Sequence, residues 1–340
     1  MIRNITDTLN LISKTSPSRA FNASRIFSSY QLSHFTQKPS ISGLPISISF
    51  EPTTSCNLRC PECPSGLRSF TRPTGMLDPE LFKNVLDQLS TTLSYLTFYF
   101  QGEPFLHPQF LDMVSYASRK GIYTATSTNA HYLKEDVAEA TVSSSLDRLI
   151  ISIDGTTQET YQSYRIGGSL EKVMDGAERI IRWKKKLKSS TPHVIFQFLV
   201  VKPNEHQIAD VYDLAKRIGV DEVVLKTAQI YDFEAGSDLI PTQERYARYQ
   251  RKTDGSYEIK NKLLNECWKM WNSCVITWDG RVVPCCFDKD AHHVMGDLTK
   301  ESFYSIWHGE KYNAFRTTLL RSRNEIEICK NCTSGTQVWG

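Results

Sequence analysis

Residues 46–227 alternate between strand-like and helix-like segments, and this alternation constrains the fold more than any other feature of the 340-residue chain. The strand-like segments are 46–50, 96–100, 122–126, 149–153, 194–200 and 222–225. The helix-like segments are 79–89, 108–119, 134–145, 169–187 and 206–218. Repeats of a strand and a helix imply a parallel sheet with right-handed crossovers. We therefore predict an α/β fold whose sheet curls into a partial (βα)6 barrel similar to a TIM barrel.

The helix at 79–89 has the clearest start signal. Asp78 is a typical N-cap residue, and Pro79 occupies the first helical position, where a missing N–H costs nothing. Apolar residues then recur at the spacing of an amphipathic helix. This pattern predicts a helix that packs one face against the sheet.

Three cysteines follow the first strand in a CxxxCxxC pattern, at Cys56, Cys60 and Cys63. Three thiolates on one loop can bind three irons of a four-iron cluster and leave the fourth iron open, because full ligation takes four cysteines. Zinc is the alternative, although zinc sites usually combine two separate CxxC pairs. Sites in such sheets form at the carboxyl ends of the strands, which is where this loop lies.

The cysteine loop resembles the cluster-binding loop of the radical S-adenosylmethionine (radical SAM) superfamily. In that superfamily the open iron chelates the amino and carboxylate groups of S-adenosylmethionine. The resemblance therefore implies an enzyme with a four-iron cluster and this cofactor. Glu62 departs from the family, in which the residue before the third cysteine is usually aromatic or apolar and packs on the adenine.

Other strand ends resemble the cofactor-binding positions of the same family. Gln101-Gly102-Glu103-Pro104 is similar to the GGEP motif that receives the methionine amino group, with Gln101 in place of the first glycine. Gln197 and Lys226, on the fifth and sixth strands, are further polar positions that could contact the cofactor. The resemblance implies cofactor contacts at Gly102, Glu103, Asn129, Ser152, Asp154 and Arg165.

The strand–helix alternation stops after residue 227, and the remaining six cysteines all lie between Cys267 and Cys332. Their order resembles the opening of the SPASM domain, with too few cysteines for its two clusters, and so resembles the truncated form called a twitch domain. The resemblance implies one auxiliary four-iron cluster bound by Cys267, Cys285, Cys329 and Cys332. Cys286 could replace Cys285, and a structural zinc ion could replace the cluster. Cys274 has no motif partner and is expected to be a small buried residue.

These segments predict four regions. They are an N-terminal extension at 1–45, a radical SAM core at 46–227, a linker at 228–260 and a SPASM or twitch domain at 261–340. The first region is rich in serine and has five basic residues and one acidic residue, Asp7. That composition suits a transit peptide as well as a helical extension, and we expect the extension.

Composition excludes several classes of partner. The 40 basic and 37 acidic residues are too balanced for a nucleic-acid-binding surface. No apolar run reaches the length of a membrane span, so we expect no membrane partner. Nine cysteines without an apolar leader argue against a disulfide framework and favour a reducing, cytoplasmic location.

The resemblance implies a radical SAM oxidoreductase in which the auxiliary cluster accepts an electron from the substrate. The expected substrate is a small alcohol of the aminocyclitol type, and a ribosomally made peptide is the alternative. A non-catalytic iron–sulfur or zinc protein is the alternative of another class. We expect a one-electron reductant such as flavodoxin or ferredoxin as a partner. No catalytic residue is assigned, although Lys226 and Asp288 are candidates for a general base.

Overall fold

The computed structural model of the protein describes residues 5–333. Those residues form two compact units. The first unit comprises residues 5–55, 70–126 and 263–333, and the second comprises residues 56–69 and 127–262.

The elements are numbered in chain order. The helices are α1 (Ile5–Ser13), α2 (Pro17–Thr36), α3 (Pro64–Leu67), α4 (Pro79–Leu89), α5 (Phe110–Arg119), α6 (Glu135–Ser143), α7 (Gln158–Tyr164), α8 (Leu170–Lys186), α9 (Ile208–Ile218), α10 (Lys269–Asn272), α11 (Phe303–His308) and α12 (Glu310–Ser322). The strands are β1 (Ser47–Phe50), β2 (Tyr95–Phe98), β3 (Tyr123–Thr128), β4 (Arg148–Ser152), β5 (His193–Val200), β6 (Glu222–Thr227), β7 (Tyr249–Arg251), β8 (Tyr257–Ile259), β9 (Ser273–Ile276), β10 (Arg281–Val283) and β11 (Gly296–Asp297).

The first unit contains strands in the order β11-β10-β9-β1-β2-β3. Strands β9, β1, β2 and β3 run parallel, whereas β10 and β11 are antiparallel to their neighbours. Ser47 on β1 lies opposite Tyr95 on one side and Ser273 on the other. The C-terminal cysteine-rich segment thus contributes the strand next to β1, which the sequence did not predict, because β9 is only four residues long.

The second unit contains the parallel strands β4, β5 and β6. Its polar segment after residue 227 is mostly irregular, but it includes the antiparallel hairpin β7–β8, in which Tyr249 pairs with Ile259. The sequence also did not predict α7, a short and mainly polar helix that begins after the Thr157 cap.

The predicted α/β class with a mostly parallel sheet is confirmed. The predicted helix at 79–89 is α4, and the Asp78 carboxylate accepts a hydrogen bond from the Glu80 N–H at 3.0 Å. On its apolar face, the completely buried residues are Phe82, Val85, Leu86 and Leu89. None of the helices in residues 5–333 is both long enough and apolar enough to span a membrane.

Candidate active site and cysteine clusters

The CxxxCxxC loop folds as a tight turn in the second unit. The Cys63 N–H donates to the Cys60 carbonyl at 3.3 Å, and α3 begins directly after Cys63. Gly66 in α3 lies against this turn, since a Cβ atom there would be 2.6 Å from the backbone nitrogen and oxygen of Cys60. A glycine at this position therefore allows the helix to pack on the cysteine loop.

Hydrogen-bond donors lie close to two sulfurs of this loop, those of Cys56 and Cys60. The Leu58 N–H points at the Cys56 Sγ at 3.5 Å, and the Asn129 Nδ2 lies 3.9 Å from the same sulfur. The Arg165 Nη1 lies 3.8 Å from the Cys60 Sγ. Donors of this kind stabilise metal-bound thiolates and tune iron–sulfur clusters. The three cysteines and their donors fit the predicted four-iron cluster.

Arg165 is held in place by Asp154, a contact that the sequence did not predict. Its Nε donates to the Oδ2 atom of the fully buried Asp154, whose Oδ1 accepts from the Leu199 N–H at 2.7 Å. Burial acts to lower the pKa of Arg165, but Asp154 and Cys60 hold that pKa well above its ordinary value. Burial also raises the pKa of the Cys60 thiol, and Arg165 opposes this rise. The guanidinium thus favours a thiolate at Cys60.

The other predicted positions of the second unit differ in exposure. Ser152 is buried at the end of β4, opposite Gln197 on β5. Lys226 on β6 is exposed. Glu62 accepts a hydrogen bond from the Tyr231 N–H at 2.9 Å, so its carboxylate binds the segment after β6.

Gly102 and Glu103 belong to the first unit. Gly102 has a φ of +75°, and a Cβ atom there would be 2.1 Å from the Thr53 carbonyl oxygen, so only glycine fits this turn. The Glu103 N–H donates to the Ser55 carbonyl at 2.8 Å. Glu103 itself is buried, and its carboxylate accepts from the Phe105 N–H at 3.3 Å. The turn is therefore fixed to the residues that immediately precede Cys56 in the chain.

The four C-terminal cysteines of the predicted auxiliary site come together in the first unit. Cys285 interacts electrostatically with Cys267 and Cys329, and Cys329 interacts with Cys332. The Cys332 N–H donates to the Cys329 carbonyl at 3.0 Å, which closes the CxxC turn. Burial raises the pKa of the Cys329 thiol to about 11, so binding of a metal here has to displace firmly held protons.

The two remaining cysteines of this region lie outside that set. Cys286 is exposed, whereas Cys285 is half-buried and lies beside Cys267 and Cys329. Cys274 is 1% exposed on β9, in keeping with a small buried residue.

Among residues 5–333, no three Cys, His, Asp or Glu side chains are placed as the ligands of one metal ion would be. A four-iron cluster binds each cysteine through a different iron, so its ligands need not converge.

Arg323, which sequence reasoning missed, lies against this cysteine set. It is 2% exposed, and its Nη2 donates to the Cys332 Sγ at 3.5 Å, while its Nη1 donates to the Glu266 carbonyl at 2.8 Å. Burial acts to lower the pKa of Arg323, but Cys267 and Cys332 outweigh it and raise that pKa. The sequence held no signal for this role, because Arg323 stands in a run of polar residues typical of a solvated helix end.

A buried ion pair supports the loop that follows Cys285. The Arg72 guanidinium donates to both Glu51 oxygens, at 2.8 and 2.6 Å, and its Nε donates to the Lys289 carbonyl at 3.0 Å. Asp290 accepts from the Thr71 N–H at 2.9 Å. The segment at 70–72 is therefore bonded to the loop that follows Cys285, within the first unit.

Asp288, one of the two residues considered as a general base, shapes the same loop. It is 1% exposed, and its carboxylate accepts hydrogen bonds from the N–H groups of His292 and His293, at 2.8 and 2.9 Å. Its own N–H donates to the Cys285 carbonyl. These bonds occupy both carboxylate oxygens in holding the loop.

Two family models match the chain. The model of the radical SAM superfamily matches residues 50–215, and the model of the SPASM iron–sulfur cluster-binding domain matches residues 267–333. Together they cover more than half of the chain, and they contain all seven cysteines predicted as cluster ligands.

Several characterised proteins are similar over most of their length. A tungsten-containing aldehyde ferredoxin oxidoreductase cofactor-modifying protein of Pyrococcus furiosus is 25% identical over 83% of this chain and 86% of its own. PqqA peptide cyclase of Gluconobacter oxydans is 25% identical over 87% of this chain and 85% of its own. The S-adenosyl-L-methionine-dependent 2-deoxy-scyllo-inosamine dehydrogenase of Niallia circulans is 25% identical over 84% of this chain and 92% of its own.

Solved structures share the fold. SuiB of Streptococcus suis, bound to S-adenosylmethionine, superposes with a TM-score of 0.64 at 13% identity, over 88% of this chain and 74% of that one. BtrN in complex with AdoMet and 2-DOIA superposes with a TM-score of 0.53 at 21% identity, over 87% of this chain and 95% of that one. At these identities the likeness concerns the fold alone.

Proposed function

We propose a reaction for this chain, which belongs to the radical SAM superfamily and carries a C-terminal SPASM domain. In this proposal it is an oxidoreductase that converts a small secondary alcohol of the aminocyclitol type to a ketone. Membership of the family implies a four-iron cluster, S-adenosylmethionine and an auxiliary iron–sulfur cluster. When bound, the first cluster supplies one electron for cleavage of S-adenosylmethionine to methionine and a 5′-deoxyadenosyl radical, which takes a hydrogen atom from the substrate.

The residues of the second unit have distinct tasks in this proposal. Cys56, Cys60 and Cys63 bind the first cluster and leave one iron open for the cofactor. Asn129 and Arg165 donate to the cluster thiolates, and these donors lie 3.9 and 3.8 Å from the sulfurs. Asp154 is the residue that orients Arg165. Ser152, at the end of β4, is a contact for the polar part of the cofactor.

In the first unit, the proposed roles follow from backbone geometry. The turn at Gly102 presents backbone atoms with no side chain in the way, and Glu103 supplies a carboxylate for the methionine amino group. Cys267, Cys285, Cys329 and Cys332 bind the auxiliary cluster. Four ligands leave no iron open, so this cluster serves electron transfer.

The observation that carries the proposal is the grouping of three of these cysteines, Cys267, Cys329 and Cys332, around the buried Arg323, with Cys285 beside Cys267 and Cys329. Oxidation of an alcohol to a ketone removes two electrons and two hydrogens, and the first hydrogen atom leaves with 5′-deoxyadenosine. The remaining radical loses one proton and one electron, and the auxiliary site accepts that electron. Overall, one S-adenosylmethionine and one alcohol give methionine, 5′-deoxyadenosine, a ketone and a proton. The similarity to a dehydrogenase over 84% of this chain supports the same reaction class.

Modification of a peptide is the second candidate function. The hairpin β7–β8 borders an open cavity of about 630 Å³ in the second unit, lined mainly by residues 235–257. An extended peptide can add to the edge of such a hairpin. Similarity to a peptide cyclase over 87% of this chain also supports this candidate.

Deuterium transfer tests the proposed function. Reconstituted protein, dithionite and S-adenosylmethionine are incubated with aminocyclitols and polyols that carry deuterium at the carbinol carbon. We expect deuterated 5′-deoxyadenosine and one ketone for each 5′-deoxyadenosine, both measured by mass spectrometry. A parallel incubation contains a deuterated ribosomally made peptide instead of the alcohols. Label transferred only from that peptide would contradict the alcohol substrate and support the second candidate.

Arg323 is expected to raise the reduction potential of the auxiliary cluster. A buried positive charge stabilises the reduced cluster, which is the more negative form. We therefore expect Arg323→Gln to lower the midpoint potential, whereas Arg323→Lys, which keeps the charge, stays closer to the wild type. A redox titration followed by electron paramagnetic resonance measures this potential.

Arg321 offers a matched control for this prediction, because it is exposed on α12 and Arg321→Gln removes the same charge. We expect no measurable shift in potential for that variant. Equal potentials in Arg323→Gln and the wild type, with the iron content unchanged, would exclude the role of Arg323.

A further inference from the structure

Helix α1 packs on the protein with its polar side. Asp7 is its buried residue, and the Tyr123 hydroxyl donates a hydrogen bond to the Asp7 carboxylate. Ile5, Leu9 and Ile12 recur at the spacing of one helix face and are 70%, 58% and 60% exposed. This arrangement reverses the usual one, in which the apolar face of a surface helix points to the core.

Helix α2 is also anchored by polar groups. The buried Arg19 donates to the carbonyl groups of Ser90 and Lys120, at 2.9 and 2.8 Å. Phe21, Leu32 and Phe35 are 66%, 51% and 87% exposed. Leu32 and Phe35 follow Phe21 by 11 and 14 residues, which is about three and four helical turns, so the three side chains lie on one side of the helix.

Exposed apolar side chains are concentrated in these two helices. Seven of the sixteen large hydrophobic residues that are exposed in residues 5–333 belong to α1 and α2. Single exposed hydrophobic residues are normal on a protein surface, but several on one side of a helix mark an interaction site. The exposed residues on one side of each helix, namely Ile5, Leu9 and Ile12 of α1 and Phe21, Leu32 and Phe35 of α2, are together called the apolar face below.

The exposed charges within residues 5–45 are positive, and Glu266, an acidic side chain paired to α2 from outside this segment, lies 3.5 Å from His34. Arg25 and Lys38 are exposed, whereas the single acidic residue of the segment, Asp7, is buried. A symmetric dimer through this face would bring like charges together, because each copy presents the same patch. An anionic lipid surface instead attracts the basic residues and accepts the phenylalanine, leucine and isoleucine side chains at its acyl boundary.

We propose that α1 and α2 bind the surface of an anionic lipid bilayer through the apolar face. The sequence predicted no membrane partner because it has no apolar run long enough to span a bilayer, but interfacial helices need no such run. The inference is independent of the proposed reaction. It places the protein where a lipid-bound or membrane-associated substrate is accessible.

Vesicle sedimentation with the full chain tests this inference. We expect the protein to pellet with vesicles of phosphatidylglycerol and phosphatidylcholine and to pellet less with phosphatidylcholine alone. The double variant Leu9→Asp/Phe35→Asp should bind roughly a hundredfold more weakly, since two apolar side chains no longer enter the lipid. A milder pair, Leu9→Ser/Phe35→Ser, removes the apolar area without adding charge and should also weaken binding.

The double variant Tyr212→Asp/Tyr304→Asp is the matched control, because it replaces two residues that are 47% and 63% exposed elsewhere in the chain. We expect it to pellet like the wild type. Equal weakening of both Asp double variants would overturn the inference, and so would a wild type that does not pellet with anionic vesicles. A dimer that the Leu9→Ser/Phe35→Ser pair dissociates, without vesicle binding, would assign the apolar face to a second copy.

Discussion

Cys60→Ala is expected to abolish the formation of 5′-deoxyadenosine from S-adenosylmethionine. Cys60 lies at the centre of the CxxxCxxC loop, is 5% exposed and receives the Arg165 donor. Without its sulfur, the loop offers two thiolates and cannot bind three irons of a cluster. The wild type should bind about eight irons and the variant about four, if each cysteine set binds a four-iron cluster. Anaerobic reconstitution, iron analysis and chromatography of the products measure both quantities.

Cys274→Ala provides the control for this variant. Cys274 is also buried, but it lies on β9 outside both cysteine sets. We expect this substitution to lower the free energy of unfolding by about 1–2 kcal/mol through loss of packing and to leave the cleavage of S-adenosylmethionine intact. If Cys60→Ala still produced 5′-deoxyadenosine at the rate of this control, the proposed enzyme activity would be refuted.

Removal of both Cys329 and Cys332 is expected to separate cofactor cleavage from product formation. The two cysteines close one turn of the auxiliary site, so the Cys329→Ala/Cys332→Ala variant loses two of four ligands. We expect the iron content to fall from about eight to about four, because the CxxxCxxC loop is unchanged. Cleavage of S-adenosylmethionine should continue, whereas the yield of ketone should fall to background because the substrate electron has no acceptor.

The adjacent pair at 285 and 286 refines this test. Cys285 interacts with Cys267 and Cys329, whereas Cys286 is exposed, so we expect Cys285→Ala to lose iron and Cys286→Ala to keep it. Retention of all eight irons in the Cys329→Ala/Cys332→Ala variant would rule out the auxiliary cluster at this site.

The sequence predicted those parts of the protein whose structure is set by residues close to one another along the chain. The helix at 79–89 was predicted from its own residues, because the cap at Asp78 and the apolar spacing are local properties. The CxxxCxxC loop is local in the same way, since three ligands within eight residues need no other segment to bring them together. Strand bounds were predicted to within a few residues for the same reason.

Contacts between distant segments could not be predicted in this way. Strand β9 has only four residues, and its place beside β1 is set by backbone hydrogen bonds to a segment more than two hundred residues earlier. Arg72 and Glu51 form a buried ion pair across 21 positions, although each residue by itself is typical of a protein surface.

The sequence by itself determined the family and the α/β class, and it predicted the cysteines of each set except for the choice between Cys285 and Cys286, because spacing and periodicity are properties of the chain. The tertiary structure decided which donors those cysteines meet and which side chains stay exposed. Arg165 meets Cys60 across 105 positions, and the apolar side chains of α1 are exposed because Asp7 is buried against Tyr123. Hydrogen bonds, charge and burial act through space, so these features depend on how the whole chain packs.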